Sequence, residues 1–227
     1  MALDFQTFKT RSLTAVVFAV VVVSGLCWNI YSFITLCTLI LVGCLLEFYQ
    51  LNRLIQSPGK VIRLFIPLVY ILLPIGLLLD LGITHTDTRY VYDPLLPCGI
   101  IFSIWINDTM AYLVGSLIGK TPLSAVSPKK TWEGTLGGII LSMVVIGVLG
   151  YGLPVAQRYD WMHWVLISAV ASIFGTIGDL LESKWKRMAG VKDSGRIMPG
   201  HGGFLDRFDS MLLATPAVWL LVRWMSA

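Results

Sequence analysis

Charged residues are scarce in this chain, and their scarcity excludes most classes of soluble protein. Asp, Glu, Lys and Arg make up 13% of the 227 residues, whereas 56% are hydrophobic. Soluble globular domains carry about 25% charged residues. A bilayer-spanning helix needs about 20 mostly apolar residues, and apolar stretches of that kind recur along the chain. The composition therefore predicts an all-α, polytopic transmembrane helical bundle that forms a single integral membrane domain over residues 1–227.

Cysteine is also scarce, and its placement argues against a disulfide framework or a thiolate metal site. The four cysteines are Cys27, Cys37, Cys44 and Cys98, and they show no metal-ligand spacing. All four fall in or beside apolar stretches, where a free thiol behaves as a small hydrophobic group. We therefore expect four free cysteines with a packing role.

The apolar stretches predict about seven membrane helices. They cover residues 12–28, 31–46, 64–79, 95–118, 134–153, 161–181 and 211–224. The first two helices should form a hairpin that turns near Asn29, and Pro67 and Pro74 should bend the third. The segments 82–93 and 119–133 are polar and are predicted to be loops. Residues 1–94 then hold featureless N-terminal helices, and residues 95–227 form a half that carries the polar motifs.

The distribution of Lys and Arg predicts the orientation of this bundle. If the N-terminus is cytoplasmic and seven helices alternate, all but three of the 17 Lys and Arg residues lie on the cytoplasmic side. The three exceptions are Arg89, Arg158 and Arg223. An excess of Lys and Arg marks cytoplasmic loops. The bias predicts a cytoplasmic N-terminus and places both polar motif loops on that same face.

Acidic residues near the end of the sixth predicted helix are the first candidates for chemistry. Asp179, Glu182 and Ser183 share one helical face because residues three and four apart are neighbours. A carboxylate at a helix C-terminus opposes the helix dipole, so a positive partner is expected. That partner is a metal ion or the nearby Lys186 and Arg187, and a plain salt-bridge network explains the pattern equally well.

The segment 201–209 follows with paired glycines and two aspartates. Gly202 and Gly203 allow close approach of backbone to a ligand, and backbone N–H groups in such a turn can cradle phosphate. Asp206 and Asp209 are spaced for one helical face, and carboxylates with phosphate and water are the ligands that Mg²⁺ prefers. The alternative is a helix-capping loop with acidic residues in its first turn.

Two further features lie earlier in the chain. Asn107 and Asp108 fall inside the fourth predicted helix, where a carboxylate is costly and usually faces a wet cavity or a partner. The loop 127–134 offers Lys129 and Lys130 for phosphate charge and Trp132 for stacking on a base. Its alternative role is a membrane-surface anchor with an interfacial tryptophan.

These motifs together resemble the signature of the phosphatidate cytidylyltransferase family, also called CDP-diacylglycerol synthases. The resemblance is carried by Ser183-x-Trp185-Lys186-Arg187, Lys192-Asp193-x-Gly195 and Pro199-x-His201-Gly202-Gly203-x-x-Asp206-Arg207-x-Asp209. Asn107-Asp108-Thr109, Gly115, Gly119-Lys120 and the run Ser127 to Gly134 are also similar to that family. The resemblance covers about the C-terminal 120 residues.

The resemblance implies an enzyme that transfers CMP from CTP to phosphatidic acid and releases pyrophosphate. It implies Mg²⁺, as one ion or two, in a site open to the cytoplasm of a bacterial inner membrane. The metal ligands it implies, together with the aspartates singled out above, are Asp179, Asp206, Asp108 and Asp209. The catalytic residues are expected to be Asp179, Asp206, Lys186, Arg187, Lys192, His201 and Arg207. The substrate-binding residues are expected to be Asn107, Asp108, Ser127, Lys129, Lys130, Thr131, Glu133, Ser183, Gly202 and Gly203.

The expected partners are CTP, phosphatidic acid and membrane lipids, without a nucleic acid polymer, and a homodimer is left open. One alternative is a related CTP-dependent lipid enzyme, such as a polyprenol-type kinase or a CDP-archaeol synthase. An alcohol acceptor would need deprotonation and would give His201 or an aspartate a stronger role as a base. A transporter is disfavoured because neither motif has a second copy in the chain.

Overall fold

A computed structural model of the chain describes residues 5–55, 65–86, 89–195 and 202–226. Within these residues the fold is mostly helical, and seven long helices follow one another. They are α1 (Phe5–Cys27), α2 (Ile30–Leu54), α3 (Phe65–Gly82), α4 (Leu95–Ile118), α5 (Trp132–Gly152), α6 (Trp161–Met188) and α7 (Leu205–Met225). Of the described helices, α2 to α6 are long and apolar enough to cross a membrane, and α1 carries a shorter apolar part, Ser12–Cys27. The predicted all-α membrane bundle is confirmed.

The two segments predicted to be plain loops each contain a β-hairpin. In the first, β1 (Ile83–Thr86) pairs antiparallel with β2 (Arg89–Tyr92). In the second, β3 (Pro122–Ser124) pairs antiparallel with β4 (Ser127–Thr131). The loop prediction was wrong for these residues because both segments are short and polar, and the period-two alternation that signals strands is weak in them.

Several predicted helix boundaries were also wrong. Helix α1 begins at Phe5 instead of 12, α2 ends at Leu54 instead of 46, and two further errors concern the polar motif. Helix α6 continues to Met188 instead of ending at 181, and α7 begins at Leu205 instead of 211. The extra turns carry Lys186 and Asp206, which form an ion pair in the protein interior. A prediction from hydropathy ends a membrane helix at such charged residues. The actual helix continues through them when their charges are paired inside the bundle.

Polar side chains at the helix starts explain where several helices begin. Asn29 accepts hydrogen bonds from the backbone N–H groups of Tyr31 and Ser32, and the Ser32 side chain completes a capping box. This cap starts α2 and confirms the predicted turn near Asn29. Thr131 caps α5 through the Gly134 N–H at 3.1 Å, and Asp160 caps α6 through the Met162 N–H at 2.8 Å. Each cap satisfies N–H groups that lack a partner in the helix.

Helix α3 contains one π-helical turn, Leu68–Leu72, between Pro67 and Pro74. Pro74 has no N–H to donate and its ring crowds the carbonyl one turn earlier. The backbone N–H of Leu73 accordingly donates to Leu68 O, which is the wider spacing of a π-turn. The predicted distortion of this helix by its prolines is therefore seen as a widened turn.

Helices α4, α5 and α6 pack closely against one another. A Cβ atom at Gly138 of α5 would lie 2.7 Å from Ala111 Cβ and 2.8 Å from Asn107 O of α4, so only glycine permits this approach. Ser142 of α5 donates to Ser103 O of α4 at 3.0 Å and lies 2.8 Å from Ser168 Oγ of α6. Small residues and buried hydroxyls are how helices associate when apolar burial does not drive them together.

Contacts between helix ends define two sides of the bundle. On one side, called the motif side, Trp185 donates to Asn52 at 3.0 Å, and the start of α7 contacts α2. On the opposite side, Tyr92 donates to the Leu26 carbonyl and Arg158 pairs with Asp93 at 2.7 Å. Lys130 of the 127–134 loop pairs with Asp179 near the motif-side end of α6, so both motif loops lie on one side, as the alternation of helices predicts.

Candidate active site

Three carboxylates from α6 and α7 form the acidic cluster of the molecule. Asp179 and Glu182 are one turn apart on α6, Asp209 lies on α7, and one oxygen from each lies within 4.8 Å of the others. Glu182 is 1% exposed and Asp209 is 6% exposed. Close approach of the helices at Gly178 makes this possible, since a Cβ there would lie 2.7 Å from Asp209 O. Buried carboxylates this close together must either share a proton or have positive charge nearby.

Two lysines supply part of that charge. Lys130, from the end of β4, forms an ion pair with Asp179. Burial acts to lower the pKa of Lys130, but the adjacent Asp179 carboxylate outweighs it and raises that pKa above its ordinary value. Lys186 lies 2.6 Å from Glu182 Oε2 and 2.6 Å from Asp206 Oδ1. Each lysine therefore reaches the cluster from a different element.

The acidic cluster also fits a divalent cation. Its donors are all carboxylate oxygens, the class of ligand that Mg²⁺ prefers, and Mg²⁺ sites in enzymes commonly use one or two carboxylates with phosphate and water. Glu182 Oε1 is buried and has no hydrogen-bond partner. A buried carboxylate oxygen without a partner is costly, and a cation ligated there would relieve that cost.

A polar cavity of about 410 Å³ opens beside the cluster. Asp179 forms part of its wall, together with Asn107 and Asp108 from α4 and Lys129 and Lys130 from β4. Asn107 Oδ1 is buried without a partner, so this wall keeps an acceptor available for a ligand. Ser127 and Thr131 also line the cavity. The structure thus brings together, around one space, most of the residues predicted to bind substrate.

An apolar cavity of about 390 Å³ lies on the other side of the cluster. Its walls come from α2, α3, α6 and α7, and Glu182 is the one acidic residue among the described residues that line it. Phe48 and Leu212 form the buried part of its wall, whereas Val69 and Leu73 are partly exposed at its outer side. The acidic cluster therefore contributes one carboxylate to a polar cavity and another to an apolar one.

Asp206, a predicted metal ligand, lies outside the acidic cluster. It instead binds the backbone of the glycine loop, which is the segment around Gly202 and Gly203. Its Oδ2 accepts from the backbone N–H groups of Ser194 and Gly203, both at 2.8 Å, and its Oδ1 accepts from Lys186. A Cβ at Gly202, whose φ is +80°, would lie 2.5 Å from Asp206 Oδ2. The paired glycines thus make room for a carboxylate of the protein itself. Asp108 also lies outside the cluster, so ligation by Asp206 and Asp108 stays a prediction.

Several other predicted residues have local partners. Glu133 does not line the polar cavity; its carboxylate accepts from Thr121 Oγ1 at 2.8 Å and from the Lys120 N–H at 3.2 Å. Ser183 donates to Asp179 Oδ1 at 3.4 Å. Arg187 donates to the Val191 carbonyl at 3.2 Å.

Two further predicted residues do not line the polar cavity. Lys192 and Arg207 are exposed, and Lys192 lines a separate surface cavity with Asp193. His201 lies outside the described residues.

Sequence reasoning missed Glu47 and Asn52 of α2 and did not assign Glu182 to the metal site. Glu47 is 2% exposed, and its carboxylate reaches the start of α7. An ionisable residue within a membrane helix is a functional candidate by default, and that signal was present in the sequence. The N-terminal helices are therefore not featureless, because α2 contacts the motif directly.

The fold and the site define a class of protein: a multi-span membrane protein in which a carboxylate cluster, able to hold a cation, lies between a lysine-lined polar cavity and an apolar cavity. The sequence model of the cytidylyltransferase family matches residues 60–225. The chain belongs to the cytidylyltransferase family. Helix α2, with Glu47, precedes the matched residues.

Among curated proteins, the chain is similar to phosphatidate cytidylyltransferases of staphylococci. It is 47% identical over 122 residues to that of Staphylococcus haemolyticus, 44% over 126 residues to that of Staphylococcus aureus, and 46% over 122 residues to that of Staphylococcus saprophyticus. Each match covers 52% of this chain and 45% of the relative. The chain thus spans about half the length of the curated relatives it matches.

Proposed function

We propose that the protein transfers CMP from CTP to phosphatidic acid, forming CDP-diacylglycerol and pyrophosphate. The relatives at 44–47% identity are named phosphatidate cytidylyltransferases, and the family is one of cytidylyltransferases. The observation that carries the proposal is the position of the acidic cluster, with Asp179 in the wall of the polar cavity and Glu182 in the wall of the apolar one. A nucleotide and a lipid need such a junction in order to react.

The polar cavity suits the triphosphate of CTP. Lys129 and Lys130 offer positive charge to phosphate oxygens, and the unpartnered Asn107 oxygen offers an acceptor to the cytosine amino group or the ribose hydroxyls. The apolar cavity suits an acyl chain, because its outer side is partly exposed where lipid would contact the helices. The headgroup phosphate would then lie next to Glu182 and Lys186.

The reaction needs no strong base at this site. The acceptor is the phosphate of phosphatidic acid, which is already anionic at neutral pH because a phosphate monoester has a second pKa of about 6. One of its oxygens attacks the α-phosphorus of CTP, the new O–P bond forms, and the bond to the β-phosphate breaks as pyrophosphate leaves. The protein's task is therefore to bring two anions together in line.

Lys130 and Lys186 reduce that repulsion from opposite sides of the cluster. Asp179, Glu182 and Asp209 would hold one Mg²⁺, or two with the phosphates as further ligands. When bound, the cation supplies charge neutralisation at the phosphate oxygens. Asp206 keeps Lys186 and the glycine loop in place for the same step.

The proposed setting is a bacterial inner membrane with the motif side facing the cytoplasm, where CTP is made. The excess of Lys and Arg on the motif side supports this orientation. We treat the chain as one integral membrane domain whose residues 95–227 carry the chemistry, and a homodimer stays open.

The test is incubation of the purified protein in detergent–lipid micelles with CTP labelled in its cytosine ring, phosphatidic acid and Mg²⁺. The expected product is lipid-linked CMP together with pyrophosphate, and EDTA should abolish its formation until Mg²⁺ is restored. Parallel reactions with γ-labelled CTP and dolichol or another lipid alcohol test the kinase alternative. Phosphate transfer to an alcohol without CMP transfer to phosphatidic acid would contradict the proposal.

A further inference from the structure

Glu47 is a buried carboxylate that α2 contributes to the start of α7. Its Oε1 accepts from the Phe204 N–H at 2.9 Å, and its Oε2 accepts from the Leu205 N–H at 2.9 Å. These N–H groups open a helix and have no partner within it, and the helix dipole favours negative charge at that place. Glu47 therefore acts as a helix cap supplied by a distant part of the chain.

The same carboxylate also holds the preceding loop. Ser194 Oγ lies 2.7 Å from Glu47 Oε2 and 2.9 Å from Asp206 Oδ2. The hydroxyl has a single proton to donate, so it serves the two carboxylates in turn while linking them. Asp206 contacts Lys186, which contacts Glu182 of the acidic cluster. A continuous chain of polar contacts thus runs from α2 to the cluster.

The packing around Glu47 is fitted to its carboxylate. A Cβ added at Gly195 or Gly203 would collide with the Glu47 carboxylate, so both glycines leave space for it. Phe204 packs against Gly43 one turn earlier on α2, where a Cβ would lie 2.5 Å from its ring. The loop and the helix start are therefore seated on α2 by shape as well as by hydrogen bonds.

We propose that Glu47 is a positioning residue for the reaction. It sets the place of Ser194 and of residues 203–205 and, through Ser194, Asp206 and Lys186, of the acidic cluster. This inference rests on the proposed function for its activity readout. Glu47 does not touch the polar cavity, so its role is to hold other groups. Because it lies before the residues that match the family, the catalytic half depends on a helix outside that match.

Glu47→Gln is the discriminating variant, because an amide keeps the shape but loses one acceptor. In either amide orientation, an NH₂ group would face a backbone N–H donor. We expect about tenfold faster hydrogen exchange at the Phe204 and Leu205 amides, since a buried donor loses its partner. We also expect kcat to fall by about 10-fold to 100-fold with a smaller change in KM for CTP, as displacement of catalytic groups predicts.

The experiment uses the full chain in lipid nanodiscs and measures exchange by mass spectrometry alongside CMP transfer. Cys44→Ala is the matched control, because it removes a buried thiol three residues earlier on α2 and leaves the Glu47 contacts intact. It should leave both the exchange of residues 203–205 and kcat unchanged. Glu47→Asp, which keeps the charge and both acceptors, should recover part of the lost kcat.

Three results would overturn the proposal. They are an unchanged kcat in Glu47→Gln, a reduced kcat with unchanged exchange at residues 203–205, and equal losses in Cys44→Ala. If Glu47→Gln does not fold, Ser194→Ala tests the same contact from the loop, and an unchanged kcat there overturns the proposal as well. Failure of the wild-type protein to transfer CMP would refute the proposed function, whereas the exchange measurement would still test the contact.

Discussion

At the scale of single residues, the carboxylates near the motif divide into two kinds. Asp179, Glu182 and Asp209 converge on one point, and Glu182 retains an unsatisfied oxygen. Asp206 and Glu47 are instead surrounded by N–H and O–H donors from the protein. Carboxylates of the first kind are able to hold a cation, and those of the second kind hold backbone segments in place. All of them are acids in or beside membrane helices.

Asp179→Asn tests the first kind. The change keeps the size of the side chain but removes a charge that Lys130 and the cation would share, so activity should fall by about 100-fold or more. The Mg²⁺ concentration needed for half-maximal activity should rise. Both are measured by transfer of labelled CMP to lipid across a Mg²⁺ titration.

The control for that variant is Asp160→Asn at the other end of the same helix. Asparagine caps a helix about as well as aspartate, so both folding and activity should be retained. Near-normal turnover in Asp179→Asn would remove that residue from the cation site.

The sequence predicts those parts of the site whose contacting residues are close together along the chain. Asp179 and Glu182 are one helical turn apart, so their shared face was evident from spacing alone. Asp209 meets them only through the α6–α7 crossing at Gly178, and Glu47 meets the motif across 157 residues of chain. Such contacts depend on packing between helices, which a single sequence does not encode as a local pattern.

At the scale of elements, the crossing of α4 and α5 fixes the polar cavity. Both helices contribute to its wall, through Asn107 and Asp108 on one and Thr135 on the other. The approach at Gly138 sets how close these walls lie. The spacing of Gly134 and Gly138, one helical turn apart, can be read from the sequence, but the helix that they contact cannot.

Gly138→Ala should therefore destabilise the protein. The added methyl meets the backbone of α4 at 2.8–2.9 Å, and overpacking of this kind costs about 1–3 kcal/mol. We expect a lower midpoint of thermal unfolding in detergent micelles. Gly152→Ala on the same helix is the matched control, since no atom lies within 4 Å of its added Cβ, and it should not lower the midpoint. Equal midpoints for the two variants would contradict a tight α4–α5 crossing.

The helix boundaries illustrate the same limit at this scale. Helix existence and order follow from hydropathy, and five described helices meet the length and composition of a membrane span. The end of α6 and the start of α7 do not follow from hydropathy. The charged residues in these turns form ion pairs and hydrogen bonds with other helices, so the helices continue where hydropathy falls. Motif residues were therefore placed in loops where the structure has helix.

At the scale of the whole molecule, the difference between the two sides of the bundle allows its orientation in the membrane to be tested. Ala125 lies exposed between β3 and β4 on the motif side, and Gln157 lies exposed on the opposite side. In a background with the four native cysteines replaced, a membrane-impermeant thiol reagent should label Ala125→Cys only in inside-out vesicles. Gln157→Cys should react only in right-side-out vesicles. The reverse pattern would contradict a cytoplasmic motif side.

Acid–base pairing also differs between the two sides. On the side away from the motif, Arg158 is paired with Asp93 and Arg223 with Asp80, so those arginines add little net field. On the motif side, Lys129 and Lys192 are exposed at the walls of two cavities, and Arg207 is exposed as well. We therefore expect diffusing polyphosphates to be drawn toward the motif side rather than the opposite side, and added salt should slow their capture there.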